Sequence, residues 1–158
     1  PPRSTLFPYT TLFRSEAARL LGCSTAEVQA DRIAAAREIA RKLRAWVVLK
    51  GCGSIVAAPD GAWWINTSGN PAMATAGMGD VLSGLIGTLL AGGWPAGEAL
   101  LAGVHLHGCA GDHLSRTLNI DCGLLADEMS AAARHCFNAW IRPPHSGEVA
   151  VRPLPAPP

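Results

Sequence analysis

Four apolar residues in succession, Trp46-Val47-Val48-Leu49, end at Lys50-Gly51. An unbroken apolar run of this length is typical of a strand buried on both faces, as in the parallel sheets of α/β proteins. Segments with helical periodicity come before and after it in the chain. This alternation indicates an α/β domain in which Lys50 lies at the carboxyl end of a strand.

The periodicity of apolar residues and the end signals predict the helices around this strand. Ser24 and Glu27 have the spacing of a capping box, and Asp31 is a candidate second N-cap within the same helical region. The predicted helices cover residues 16–21, about 24–43, 81–91, 96–114 and 124–140.

A hairpin is predicted directly after the buried strand. Ser54–Ala58 and Ala62–Asn66 both have the composition of strands, and Pro59-Asp60-Gly61 between them is a tight-turn sequence. The two strands should therefore pair with each other.

Composition limits the function classes that are open to the chain. Its 158 residues allow one domain, and 49% hydrophobic against 16% charged residues excludes a disordered chain. A net charge of +1 with scattered arginines gives no basic stripe, so we expect no nucleic-acid partner. Five cysteines without a CxxC pair favour reduced thiols and a cytoplasmic location. No apolar run approaches the roughly 18 to 20 residues of a membrane span, so no membrane partner is expected either.

The two ends of the chain differ from its middle. Residues 1–15 repeat Thr-Leu-Phe, match no structural period, and resemble the translation of a sequencing adapter, so we set them aside as non-native. A disordered native tail is the alternative for this segment. Residues 142–158 are Pro-rich and are predicted to be disordered. The predicted domain therefore covers residues 16–141.

The step Gly77-Met78-Gly79-Asp80 joins a long loop of small residues to an apolar helix. Glycines let the backbone come close to a ligand, and the first amides of a helix are free to bind phosphate oxygens. A carboxylate at Asp80 could accept the proton of an attacking hydroxyl in phosphoryl transfer. By itself the tetrapeptide is a weak signal, because Gly-rich turns before helices are common.

Several motifs together resemble the NAD(P)H-hydrate dehydratase family. They are V-V-L-K-G at 47–51, N-x-S-G-N-P-x-M-A-T at 66–75 and G-x-G-D-V-L-S-G at 77–84. E-A-A-R-L-L-G at 16–22, L-H-G-C-A-G-D at 106–112 and G-L-L-A-D at 123–127 extend the resemblance to about residues 16–140. As a set these motifs are highly specific.

The resemblance implies a ribokinase-like α/β fold, with a mostly parallel central sheet and helices on both faces, truncated at the N-terminus. Residues 16–141 are then the C-terminal half of the domain. The implied reaction is repair of hydrated nicotinamide: ADP or ATP, with Mg²⁺, phosphorylates the ring hydroxyl of NAD(P)H-hydrate, and elimination of phosphate returns NADH or NADPH. A homo-oligomer is expected for the complete protein. The choices between ADP and ATP and between NADH-hydrate and NADPH-hydrate stay open, as does a fused epimerase domain.

The resemblance also assigns roles to residues. It makes Asp80 the catalytic, substrate-contacting base and places Asn70 in the loop that shapes the site. The residues implied in binding the nucleotide or its phosphates are Lys50, Gly51, Cys52, Gly53, Ser54, Asn70, Gly77, Met78 and Gly79.

The chain departs from the family pattern at several positions. Ser54 and Met78 stand where the family usually has threonine, and Ala76 stands where it usually has glycine. Phe13-Arg14-Ser15 precedes Glu16 where the family has T-P-H-P-G-E, so the substrate-contacting histidine of that run is absent.

Three alternative interpretations remain open at this point. A metal site is conceivable among His105, His107, Cys109, Asp112 and His113, although only pairs such as His105 with Cys109 share a helix face. A kinase of the hydroxymethylpyrimidine or hydroxyethylthiazole type would keep the fold and change the substrate. A catalytically inactive fragment is the third, for which we expect poor solubility and no turnover of the isolated 158-residue chain.

Overall fold

The computed structural model describes residues 9–142, and elements are named within this range. The strands are β1 (Tyr9–Leu12), β2 (Trp46–Leu49), β3 (Ile55–Ala57) and β4 (Trp63–Ile65). The helices are α1 (Arg14–Leu21), α2 (Thr25–Ala30), α3 (Arg32–Leu43), α4 (Met78–Ala91), α5 (Ala96–Leu118) and α6 (Ala126–Ile141). A short 3-10 helix spans Pro71–Met73.

The strands form one sheet in the order β1-β2-β3-β4. β1 and β2 are parallel, because α1, α2 and α3 carry the chain back across the sheet between them. β2, β3 and β4 pair in antiparallel fashion, as the tight turn between β3 and β4 requires. The predicted buried strand and the predicted hairpin are therefore confirmed, and this part of the sheet is mixed.

Alternation along β2 directs its side chains into two cores. Val47 and Leu49 pack with Ile39 of α3 and the alanines of α1 and α3 on one face of the sheet. Val48 packs on the other face with Ile86 of α4 and Leu100 of α5. Helices thus cover both faces, as predicted, and α6 packs with α4 and α5 in a third cluster around Met129.

Side-chain hydrogen bonds cap the starts of α2 and α3. The Ser24 hydroxyl accepts from the Glu27 amide at 3.2 Å, and the Glu27 carboxylate accepts from the Ser24 amide at 2.8 Å, which confirms the predicted capping box. Asp31 accepts from the Ala34 amide at 2.8 Å, so α3 does restart there. Three helices are longer than predicted: α1 begins at Arg14 instead of residue 16, α4 begins at Met78 instead of residue 81, and α5 continues to Leu118 instead of 114.

The N-terminal segment differs from the expectation that it lies outside the fold. Tyr9–Leu12 forms β1, Leu12 is buried, and the Thr11 hydroxyl lies 3.2 Å from that of Ser83 on α4. The sequence Tyr-Thr-Thr-Leu is neither a continuous apolar run nor a strict alternation of apolar and polar residues, which is why the sequence pattern did not reveal this strand. Residues 1–8, and all but the first residue of the 142–158 tail, lie outside the described residues.

Large apolar side chains remain exposed on β4, where Trp63, Trp64 and Ile65 are 41%, 40% and 48% exposed. Trp64 stacks on Trp46 at a centroid distance of 5.7 Å. None of the helices within residues 9–142 has the length and apolar character needed to cross a membrane.

Candidate functional site

The carboxyl ends of β1 and β2 lie side by side because these two strands are parallel. The Lys50 amide donates to the Leu12 carbonyl at 2.8 Å, which extends the ladder to the point where both strands end. Ligands of open α/β sheets bind outside such ends. Lys50 therefore stands at the edge where a site is expected.

The N-terminus of α4 lies at this same edge. Gly77 precedes the helix with φ +85°, a backbone conformation that residues other than glycine rarely adopt. No side chain caps the helix, so the first-turn amides of Met78 and Gly79 are left to an external acceptor. Gly77 to Asp80 thus form a turn and a first helical turn with the geometry of an anion site.

Lys50 connects the two features. Its ammonium lies 3.1 Å from the point where a β-carbon on Gly79 would stand, and 3.8 Å from the centroid of the Phe13 ring. Burial lowers the pKa of Lys50, while the nearby negative charges of Glu16 and Asp80 act in the opposite direction. A cation, a helix N-terminus and two carboxylates therefore converge here.

The Lys50–Ser54 loop continues from β2 toward the hairpin. The Ser54 hydroxyl donates to the Gly51 carbonyl at 3.1 Å and accepts from the Gly51 amide at 3.3 Å. Arg32 of α3 donates to the Leu49 and Cys52 carbonyls. Cavities of about 330 and 510 Å³ open on this loop, and the larger is lined by Phe13, Lys50 and Gly51 among other residues.

The Asn66–Gly77 loop leads from β4 to α4 and is tied to α5. Both carboxylate oxygens of Asp112 accept hydrogen bonds at 2.9 Å, one from the Gly69 amide and one from the Asn70 side-chain amide. The Asn70 carbonyl oxygen in turn accepts from the Ala72 amide at 3.0 Å and begins the 3-10 helix. Asn70 therefore shapes this loop.

Close packing supports the same loop. A side chain at Gly108 of α5 would collide with Ser68, and one at Gly111 would collide with Met73. On the far side, the Thr75 hydroxyl donates to the Leu124 carbonyl at 2.6 Å. The loop is thus fixed between α5 and the segment that precedes α6.

His107 lies on α5 near the first residue of α4. Burial lowers the pKa of His107 to about 4, against an opposing effect of the Met78 backbone. Its Nε2 atom is buried and has no hydrogen-bond partner among the described residues. His107 is therefore neutral at physiological pH.

The histidine and cysteine side chains of α5 do not gather into a metal centre in the described part of the chain, where no group of three possible ligands occurs. Cys109 Sγ lies 3.4 Å from His105 Nε2, so these two residues share a face as their spacing indicated. His113 stacks on His135 of α6 at a centroid distance of 4.6 Å. Helix packing accounts for these contacts.

The structure brings part of the predicted site together. Lys50, Gly79 and Asp80 lie close to one another, and Gly77 and Met78 begin α4 beside them. The Gly51–Ser54 stretch continues directly from Lys50, whereas the Asn70 side chain is engaged by Asp112 and Ala72. The assigned roles of these residues remain predictions.

Sequence reasoning assigned no site role to Phe13, Glu16 and Arg32, and it named Asp112 only as a conceivable metal ligand. Phe13 and Arg32 line the larger cavity, and Glu16 acts on the charge of Lys50. Asp112 instead holds the loop through Gly69 and Asn70, and its place in the L-H-G-C-A-G-D motif was the available signal. Arg32 gave none, because its contacts lie 17 and 20 residues away.

A family profile described as NAD(P)H-hydrate dehydratase matches residues 11–134. The chain belongs to the NAD(P)H-hydrate dehydratase family. The ADP-dependent (S)-NAD(P)H-hydrate dehydratase of Neisseria meningitidis is 52% identical over 128 residues, which are 81% of this chain and 42% of that protein. The bifunctional NAD(P)H-hydrate repair enzyme of Escherichia coli is 42% identical over 126 residues, 80% of this chain and 24% of that protein.

Solved structures agree with this dehydratase assignment and establish the ribokinase-like fold. The Bacillus subtilis ADP/ATP-dependent NAD(P)H-hydrate dehydratase, co-crystallised with ATP and Mg²⁺, superposes with a TM-score of 0.77 at 34% identity, over 84% of this chain and 47% of that one. A ribokinase-like superfamily protein of Enterococcus faecalis gives 0.74 at 30% identity, over 88% of this chain and 47% of that one.

The chain spans less than half the length of these relatives. The matched segment begins at residue 11, inside the segment that the sequence pattern set aside. These matches do not favour the alternative of a vitamin-precursor kinase.

Proposed function

We propose that the complete protein carries out nucleotide-dependent dehydration of NAD(P)H-hydrate. The described residues are proposed to form the part of its active site in which the phosphoryl group is transferred. The supporting observation is the convergence of Lys50 with Gly79 and Asp80 at the carboxyl ends of two parallel strands. A cation beside free helix amides attracts phosphate oxygens, and a carboxylate beside them can accept a proton.

Asp80 is proposed as the base in the first step. Its carboxylate takes the proton of the ring hydroxyl while that oxygen bonds to the terminal phosphorus of the nucleotide and the bridging P–O bond breaks. Met78 and Gly79 amides and the Lys50 ammonium hold the negative phosphoryl oxygens during this transfer. The Gly51–Ser54 stretch is proposed to contact the adenine nucleotide.

The second step is elimination. The phosphorylated oxygen leaves as phosphate, and loss of a proton from the adjacent ring carbon restores the conjugated dihydropyridine. Regained conjugation favours this step, so the residues at the edge mainly have to position the ring.

The donor set near Lys50 fits Mg²⁺. Glu16 and Asp80 provide carboxylate oxygens, the ligand type that Mg²⁺ prefers, and Mg²⁺ is commonly held by one or two carboxylates together with substrate phosphates. Glu16 is the carboxylate that would hold it, since Asp80 is assigned to the proton. A bound Mg²⁺ supplies charge neutralisation for the phosphoryl oxygens.

We also propose a cytoplasmic location and a homo-oligomeric complete protein. The location is supported by the five free thiols of the described residues, which suit a reducing compartment. The exposed apolar side chains of β4 are consistent with a subunit contact.

The test is a chimera with a relative of assigned activity. Residues 16–141 replace the matching segment of the Neisseria meningitidis enzyme, and recovery of NADH from NADH-hydrate is followed by absorbance with ADP or ATP and Mg²⁺. We expect turnover with at least one of the two nucleotides. A folded chimera that phosphorylates a vitamin precursor and recovers no NADH would contradict the proposal.

Asp80→Asn in the chimera is the first prediction. Removing a general base costs about 10² to 10⁴ in rate, so we expect a loss of kcat of that order with little change in nucleotide affinity. Asp127→Asn is the matched control, because Asp127 is also an exposed carboxylate in the first turn of a helix. Equal losses in the two variants would remove Asp80 from the chemistry.

A further inference from the structure

We infer that Arg32 is a positioning residue that sets the conformation of the Lys50–Ser54 loop for the adenine nucleotide. This inference rests on the proposed function, because it concerns how the same site binds its nucleotide. It adds a residue outside the recognised motifs, at the first position of α3 and on a separate element from the loop.

The guanidinium of Arg32 bridges the loop through backbone atoms. Nη1 donates to the Cys52 carbonyl at 2.6 Å, and Nη2 donates to the Leu49 carbonyl at 3.3 Å. Nη2 also lies 2.8 Å from the point where a β-carbon on Gly51 would stand, so the guanidinium packs directly against that residue. Arg32 thus contacts the last residue of β2, Leu49, and both exposed residues of the turn, Gly51 and Cys52.

The charge of Arg32 is not matched by an acid. The salt bridges found in residues 9–142 join Arg41 and Lys42 to Glu38, and none includes Arg32. Both cavities at the loop are lined by Arg32 and Cys52. Two neutral carbonyl acceptors leave the positive charge available to an anionic ligand in the adjoining space.

The exposed turn of the loop has little other support. Backbone hydrogen bonds hold the two ends of the loop, from the Lys50 amide to the Leu12 carbonyl and from the Asn66 amide to the Ser54 carbonyl. Between them Gly51 and Cys52 are exposed, and the Ser54 hydroxyl bonds only to Gly51. Without Arg32 the exposed turn would sample more conformations, and the nucleotide would have to order it on binding. Affinity for the nucleotide, more than the stability of the domain, should therefore depend on this side chain.

Isothermal titration of the full 158-residue chain with ADP tests the inference. Arg32→Gln is expected to raise the Kd for ADP about tenfold, the effect of losing one hydrogen bond to a charged group. Arg37→Gln is the matched control, because Arg37 lies on the same helix and donates to the Gly61 carbonyl at 3.0 Å in the hairpin turn. The control should bind ADP like the unsubstituted chain, and the two variants should unfold at the same temperature.

A second variant separates charge from geometry. Arg32→Lys keeps the cation but loses the planar guanidinium, whose two terminal nitrogens each reach a separate carbonyl, so it should bind ADP several-fold more weakly than the unsubstituted chain. Full affinity in Arg32→Lys, or an equal loss in Arg37→Gln, would overturn the inference.

Amide hydrogen exchange without nucleotide tests whether the Arg32 side chain holds the Lys50–Ser54 loop, independently of the proposed function. Arg32→Gln should speed exchange of the Gly51 amide, which donates to the Ser54 hydroxyl, about tenfold, since the turn opens more often. Unchanged exchange would show that Arg32 does not hold this loop. Absence of ADP binding in the unsubstituted chain would count against the proposed function alone, and the exchange result would still decide the role of Arg32.

Discussion

Two loops meet at the candidate site, and they are held in different ways. The Lys50–Ser54 loop has backbone hydrogen bonds at its two ends, but its exposed Gly51–Cys52 turn depends on one long side chain from α3 and one serine. The Asn66–Gly77 loop is fixed by a carboxylate, by close packing against α5 and by a bond to Leu124. The difference indicates a rigid loop that positions the α4 N-terminus and a second loop whose exposed turn is held by fewer contacts.

The largest effect is expected where the rigid loop touches α5. Gly108→Ala places a methyl group against the backbone and side chain of Ser68, and overpacking of this kind costs up to about 3 kcal/mol. Chemical denaturation measures the loss. Gly87→Ala on α4 is the control, because nothing lies within 4 Å of its added methyl group, and there we expect a gain of about 0.5 to 1 kcal/mol. Similar results for the two variants would mean that α5 does not brace the loop.

The next effect concerns Asp112. Asp112→Asn keeps the shape of the side chain but removes its charge and replaces one carboxylate oxygen with an NH2 group. That NH2 group would face the N–H donor of Gly69 or Asn70, so we expect a loss of about 2 kcal/mol in the free energy of unfolding. Arg32→Gln should change that free energy much less, because its shorter hydrogen bond is to the exposed Cys52 carbonyl and its bond to the Leu49 carbonyl is long, at 3.3 Å. If Arg32→Gln destabilises the domain as much as Asp112→Asn, the two loops do not differ in the way described.

The last effect depends on pH and concerns His107 of α5. The folded pKa of His107 is about 4 and its reference value is 6.5, so the unfolded chain takes up a proton first as the pH falls. Stability from this residue is present above pH 6.5 and is lost between pH 6.5 and 4, by up to about 2 kcal/mol at pH 5. Unfolding curves of His107→Gln should lack this part of the acid sensitivity, and an identical pH profile in the variant would contradict the assignment.

The sequence predicted what local patterns encode. The buried strand Trp46–Leu49, the Ser24–Glu27 capping box and the hairpin around Asp60 each depend on residues a few positions apart, and each was found as expected. The start of α4 was misplaced because Gly79 and Asp80 are poor helix formers, while the folded chain accepts them as first-turn residues behind Gly77. Burial of Met78 against the cluster around Met129 holds them there.

Contacts between distant segments could not be predicted in this way. Asp112 acts on residues 42 and 43 positions away, and the partner of Lys50 at Gly79 belongs to another element. Neither contact leaves a periodic trace in the sequence. The family resemblance named Lys50 and Asp80 together, and the fold explains why they meet: the parallel pairing of β1 and β2 ends both strands where α4 begins.

Gly77 lies next to the first residue of α6 as well as within the turn before α4. A β-carbon at this position would stand 2.9 Å from the Ala126 β-carbon, so the first residue of α6 lies directly beside the turn. A larger side chain at position 126 would therefore press on Gly77 and displace the turn that begins α4, together with the free amides of Met78 and Gly79.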